Sequence, residues 1–179
     1  MIKSEEVFIT NSFRETQGLG EEFVEGISGQ GRALSKRKKG ALAIGLYGDL
    51  GSGKTTFVQG MAYGLGIKRR IISPTFVIVR QYNIPHYPSS DPTWRGSREV
   101  NNSSRQARTI HFYHIDLYRI EKEKHIVGLG IEEIMNDPQN IVAIEWAEKM
   151  EGFLPKERWD IHFEYSGRDR RKIGINRVK

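Results

Sequence analysis

The run Gly48-Asp49-Leu50-Gly51-Ser52-Gly53-Lys54-Thr55 fits G-x-x-x-x-G-K-[ST], the spacing of a phosphate-binding loop. Each fixed position has a chemical task. Glycines let the backbone turn tightly and aim its N–H groups at phosphate oxygens. Lys54 brings a compact positive charge within reach of the β- and γ-phosphates of a nucleotide, and the Thr55 hydroxyl is a ligand for Mg2+. Two further acids, Asp116 and Glu145, each close an apolar run. A nucleotide triphosphate needs a divalent ion to neutralise its oxygens, and that ion prefers oxygen ligands. Spacing alone leaves open which acid holds metal and which orients water. Thr75, in Ser73-Pro74-Thr75, is a candidate sensor of the γ-phosphate, since switch segments of nucleotide hydrolases order around that group. Asp49 reads as a turn residue within the loop. The five histidines show no metal-ligand spacing on a common helix face, and no catalytic role is assigned to them.

These residues need a scaffold. Residues Ala41–Tyr47 form a short apolar run that predicts a buried strand leading into the loop. Phe57, Val58, Met61, Ala62 and Leu65 recur at helical spacing after it, with Gly64 and Gly66 as stop signals. Strand, glycine loop and helix place an anion at a helix N-terminus, where the dipole favours it. The segment from Thr10 to about Leu34 predicts an opening helix with Leu19, Phe23 and Ile27 on one face, followed by the basic run Lys36–Lys39. Phe76–Val79, Ile110–Asp116 and Asn140–Trp146 predict strands, with a short helical region between the last two, through Met135. Trp159, Ile161, Phe163 and Tyr165 alternate, a turn follows, and Ile173 and Ile175 alternate again, the pattern of a C-terminal β-hairpin. Strands alternating with helices predict an α/β fold: one domain over 1–179 with a mixed, partly parallel central sheet flanked by helices. Asp116 and Glu145 would then lie at the carboxyl ends of their strands, where open α/β sheets bind ligands.

Between Ile84 and Thr109 the periodicity vanishes. Three of the six prolines, several serines and the arginines Arg95, Arg98, Arg105 and Arg108 fall there, which predicts a long surface insert. Trp94 within it is either a tethered hydrophobe or a base-stacking group. The chain of 179 residues carries 28 Lys and Arg against 22 Asp and Glu, a net charge of +6 that suits an anionic partner such as nucleic acid. It has no cysteine, which excludes disulfides and thiolate chemistry and fits a reducing cytoplasm. No apolar run is long enough to span a membrane, and the first residues lack the pattern of a secretory signal.

Taken in order, the phosphate loop, Ser73-Pro74-Thr75-Phe76, His114-Ile115-Asp116-Leu117-Tyr118-Arg119 and Ile144-Glu145-Trp146-Ala147-Glu148 resemble the TsaE family, the small ATPases of bacterial tRNA threonylcarbamoyladenosine biosynthesis. The resemblance spans nearly the whole chain. It implies a P-loop fold that binds ATP with Mg2+ and has weak ATPase activity alone. It also implies TsaB- and TsaD-like partners, which transfer threonylcarbamoyl to N6 of adenosine 37 in tRNA while the TsaE-like subunit resets the complex. On that resemblance Gly48, Gly51, Ser52, Gly53, Lys54, Thr55 and Thr56 cradle phosphates, and Thr55 and Glu145 hold Mg2+. Asp116 acts near the metal or the attacking water, Thr75 belongs to a switch-like loop, and Trp146 packs beside the nucleotide or a partner. Phe13 and Thr16 lie near adenine, and Arg170 contacts nucleotide, with Arg168 or Arg171 as substitutes.

The chain departs from the family pattern in the length of the 84–109 insert and in Gly128–Glu133, which matches only approximately. Two other classes fit the same residues: a small-molecule kinase, since phosphate loops with strand-end carboxylates also serve transfer to metabolites, and a nucleotide-gated RNA-binding module.

Overall fold

A computed structural model describes residues 5–28, 39–69, 71–74, 77–84, 110–122 and 125–179. Its elements in chain order are β1 (Glu5–Thr10), α1 (Phe13–Ser28), β2 (Leu42–Tyr47), α2 (Lys54–Gly64), β3 (Val79–Asn83), β4 (His111–Asp116), α3 (Ile131–Asn136), β5 (Asn140–Glu145), a 3-10 segment (Ala147–Phe153), β6 (Arg158–Tyr165) and β7 (Arg171–Val178). Seven strands form one sheet in the order β1-β7-β6-β2-β5-β4-β3. The central four, β6-β2-β5-β4, are mutually parallel. The flanking strands β7, β1 and β3 pair antiparallel. The α/β fold with a mixed, partly parallel sheet and a C-terminal hairpin is therefore observed.

The parallel strands read as continuous apolar runs because they are covered on both faces. Every residue of β5 is buried. On one face Ile44, Leu46, Ile141, Ile161 and Phe163 pack against Phe23 and Val24 of α1 and Phe57, Val58 and Met61 of α2. Phe23 meets Phe57 at 5.6 Å and Trp159 edge-on at 5.4 Å between ring centres. On the other face Ala43, Val142 and Ile144 meet Ile131 and Met135 of α3 and Met150 of the 3-10 segment.

Three boundaries differ from expectation. Glu5–Thr10 is a strand, so the opening helix begins at Phe13; residues 29–34 of the predicted helix lie outside the described residues. Thr10 cannot start the helix because it pairs with Arg171 on β7. Ser12 starts it instead, its hydroxyl accepting the Glu15 N–H at 3.2 Å. The strand expected over Phe76–Val79 starts at Val79, with Phe76 outside the described residues. Val77 and Ile78 form a turn because both N–H groups donate to the Pro74 carbonyl, at 2.7 and 2.6 Å. Ile78 adopts φ 66° there. Ile84, expected at the start of the insert, is buried, and its N–H donates to the Ile110 carbonyl at 3.2 Å. The rest of the insert lies outside the described residues, as do Lys36, Arg37 and Lys38 of the basic run. The helical region expected through Met135 holds α3, Ile131–Asn136.

Candidate functional site

The loop between β2 and α2 has the backbone its glycines predict. Gly48, Gly51 and Gly53 sit at φ 133°, 76° and 110°, a region open mainly to glycine. The Ser52 N–H closes a turn on the Asp49 carbonyl at 3.1 Å. Gly53 is the N-cap of α2 and supplies no side chain to its free N–H groups. The first turn of α2 thus presents Lys54, Thr55 and Thr56 at an electropositive helix end. Lys54 is buried, and its ammonium donates to the carbonyls of Gly48 at 2.6 Å and Asp49 at 2.8 Å. Burial pulls its pKa down from the usual lysine value, and the carboxylates of Glu145, Glu148, Asp116 and Asp49 oppose that shift. The ammonium also lies 4.1 Å from the centre of the Trp146 ring.

Asp116 and Glu145 are register partners on β4 and β5, so both carboxylates leave the same face at the carboxyl end of the sheet. Thr55 Oγ1 lies 2.8 and 2.9 Å from the two Glu145 oxygens. Asp116 accepts the Tyr118 N–H at 3.0 Å and the hydroxyl hydrogen of Ser73. Both acids are buried. Trp146 follows Glu145 in the left-handed conformation, φ 61°, an arrangement that costs a non-glycine residue about 1–2 kcal/mol. Its N–H donates to the Leu46 carbonyl at 3.0 Å, which ties the turn to the strand feeding the loop.

The donor set fits the groups that the loop implies. Thr55, Glu145 and Asp116 offer oxygen only, as Mg2+ prefers, and among the described residues no cluster of three or more His, Cys, Asp or Glu side chains could hold a metal alone. Phosphate oxygens and water would complete such a shell. Ser52 Oγ is fully buried with no hydrogen-bond partner among the described residues.

One functional candidate escaped the sequence reading. His114 is fully buried, and its Nε2 lies 2.8 Å from Glu145 Oε1. A carboxylate only accepts, so Nε2 carries the hydrogen. The signal was present: His114 stands two residues before Asp116 on one strand, a spacing that puts both on one face. Thr16 is buried, bonded to Thr10 Oγ1 at 2.8 Å, and its methyl would stand 3.6 Å from a Cβ placed on Gly53. It therefore packs against the phosphate loop. Phe13 is exposed at the start of α1. Arg170 is exposed at the hairpin turn, and Arg171, the first residue of β7, is the arginine that reaches the loop. Thr75 lies outside the described residues.

A sequence model of the TsaE family, described as threonylcarbamoyl adenosine biosynthesis protein TsaE, matches residues 10–173. The chain belongs to the TsaE family. This TsaE-family chain is 38% identical over 133 residues to the tRNA threonylcarbamoyladenosine biosynthesis protein TsaE of Bacillus subtilis, covering 74% of the chain and 68% of that relative. It is 30% identical over 168 residues to the protein of the same name from Rickettsia bellii, covering 93% of the chain and 92% of the relative. For the Haemophilus influenzae protein of that name, at 33% identity, the match spans 70% of the chain and 64% of the relative. Among solved structures, Bacillus subtilis YdiB superposes with a TM-score of 0.62 at 26% identity over 100% of this chain and 88% of that one. No helix among the described residues is long and apolar enough to cross a membrane.

Proposed function

We propose that this TsaE-family chain is a Mg2+-dependent ATP-binding and ATP-hydrolysing subunit that drives N6-threonylcarbamoyl modification of adenosine 37 in tRNA, together with TsaB- and TsaD-like partners. The observation that carries the reading is the contact of Thr55 with Glu145 at the first turn of α2, beside buried Lys54 and in register with Asp116. It joins the residue types for phosphate, metal and water at one sheet edge. Family membership supports the tRNA side of the reading.

In this reading the N–H groups of Gly51 and of Gly53 to Thr56 and the Lys54 ammonium bind the phosphates of ATP. Thr55 and Glu145 hold Mg2+, which when bound neutralises the β- and γ-oxygens. Asp116 accepts a hydrogen bond from the attacking water and orients it. His114 holds the Glu145 carboxylate in place through Nε2. Trp146 closes one side of the Lys54 ammonium and keeps bulk water from it. Hydrolysis resets the complex between rounds of transfer, and the transfer itself belongs to the partners.

Lys54→Ala tests the reading. The variant should fold, since it removes a buried ammonium, and should lose ATP binding or turnover. Multiple rounds of tRNA modification by Lys54→Ala with its partners would refute the mechanism.

A further inference from the structure

The phosphate loop is held from behind by a part of the chain far away in sequence. Tyr165, the last residue of β6, and Arg171, the first of β7, are register partners across the hairpin. The Tyr165 hydroxyl donates to the Leu50 carbonyl at 2.7 Å. Arg171 Nε donates to the Ser52 carbonyl at 3.1 Å, and Nη2 to the Gly51 carbonyl at 3.4 Å. Nη1 is spent on the hairpin's own carbonyls, Arg170 at 3.0 Å and Arg168 at 3.3 Å. The guanidinium carbon lies 4.6 Å from the Tyr165 ring centre, so the two side chains brace one another.

Three consecutive carbonyls of the loop, at residues 50, 51 and 52, are thereby engaged by one cross-strand pair. Peptide units are planar, and none here is cis. In a trans unit the C=O of one residue and the N–H of the next point in opposite directions. Fixing these three oxygens toward the hairpin turns the N–H groups of Gly51, Ser52 and Gly53 away from it. Ser52 N–H closes the turn on Asp49, which leaves Gly51 and Gly53 N–H directed at the anion side of the loop.

The glycines record the same contact. A Cβ at Gly51 would stand 2.7 Å from the Tyr165 hydroxyl, and one at Gly48 would stand 2.4 Å from the Phe163 carbonyl. At Gly53 it would meet Arg171 Cγ and Phe163 Cδ1, both at 3.9 Å.

We infer that Arg171 and Tyr165 are positioning residues of the phosphate site: the C-terminal hairpin clamps the outward carbonyls of the loop and so pre-aims its amides before nucleotide arrives. The clamp rests on the phosphate-loop reading, and it works through the fork of Arg171 rather than through its charge. A lysine carries the same charge but cannot reach two carbonyls and stack on the ring at once.

The test compares wild type, Arg171→Lys, Tyr165→Phe and Lys172→Ala. Lys172 is the neighbouring cation, paired with Glu164 on the hairpin. Two readouts are taken: hydrogen–deuterium exchange of the peptide covering Gly48–Lys54 without nucleotide, and affinity for ATP with Mg2+ by calorimetry. Arg171→Lys should speed exchange in that peptide while the β2 and β5 peptides stay protected, and should weaken ATP affinity about tenfold, as expected for lost charge-assisted hydrogen bonds. Tyr165→Phe should shift both readouts in the same direction by less, and Lys172→Ala should shift neither. Arg171→Lys with wild-type exchange and affinity overturns the clamp, as does a uniform rise in exchange with affinity unchanged. If Arg171→Lys fails to fold, exposed Tyr165 carries the test, and wild-type behaviour of Tyr165→Phe in both readouts overturns the clamp. A wild-type protein that binds no ATP refutes the proposed function, while the exchange comparison still decides the clamp.

Discussion

Gly60 on α2 and Gly20 on α1 offer the sharpest test of how the phosphate-loop helix is seated. A Cβ at Gly60 would stand 1.9 Å from the Gln17 carbonyl oxygen and 2.8 Å from its carbon. One at Gly20 would stand 2.2 Å from the Phe57 carbonyl oxygen. Both fall far inside 3.0 Å, below which Cβ contacts are essentially not seen, and in each case the obstacle is backbone. The two helices must separate by roughly an ångström to admit either methyl.

Gly18 and Gly26 on α1 provide the control, because a Cβ at either meets nothing within 4 Å. Alanine in a helix interior gains up to about 1 kcal/mol over glycine. Gly26→Ala should therefore stabilise by about 0.5–1 kcal/mol. Gly60→Ala receives the same gain but overpacks a tight contact at about 1–3 kcal/mol or more, and ends less stable than wild type. For a domain of this size each kcal/mol moves the melting temperature by about 2–4 °C. Displacing α1 also displaces Thr16 from Gly53, so ATP affinity should fall in Gly60→Ala and hold in Gly26→Ala. Urea unfolding and calorimetric ATP titration on the set read both effects. Equal stability of Gly60→Ala and Gly26→Ala would refute the backbone contact between the helices.

Glu145→Gln should leave metal-free stability within about 1 kcal/mol of wild type, because relief from burying a charge offsets weaker hydrogen bonds to Thr55 and His114. It should abolish the increment that Mg2+ adds to ATP affinity, and an unchanged increment would remove Glu145 from the metal. Tyr47 donates to Asp160 at 3.1 Å, and burial, then the Asp160 charge, push its pKa from 10.0 up to about 12. The folded value exceeds the unfolded one, so its contribution is complete below pH 10 and is lost as pH rises toward 12. Tyrosinate absorbance should show a tyrosine ionising near pH 12 that Tyr47→Phe removes, and alkaline unfolding of that variant should be less steep. A titration curve identical to wild type would place the late ionisation elsewhere.

Much of the site was legible because it is local. The loop motif, the strand before it and the helix after it depend on neighbours within a few residues, and the glycine positions state their own backbone angles. The two strand-end acids followed from apolar runs, and the hairpin followed from alternation. Arg171 shares its parity with Ile173 and Ile175, which turns it toward the core and loop, whereas Arg170 sits in the turn. His114 shares parity with Asp116 in the same way.

What the tertiary structure alone decided is which of these faces meet. β1 is a strand because the free edge of β7, more than 160 residues later, supplies its hydrogen bonds, and its own exposed Val7 and Ile9 give little sign of that. His114 reaches Glu145 only because β4 and β5 pair in one register; a slip of one residue would turn either side chain to the opposite face. The clamp of Arg171 on Ser52 spans 119 residues, and the packing of Thr16 on Gly53 spans two helices. Residue types and short spacings carry the chemistry of single groups. The distances between groups are set by strand register and helix packing, which pairwise patterns along the chain do not encode.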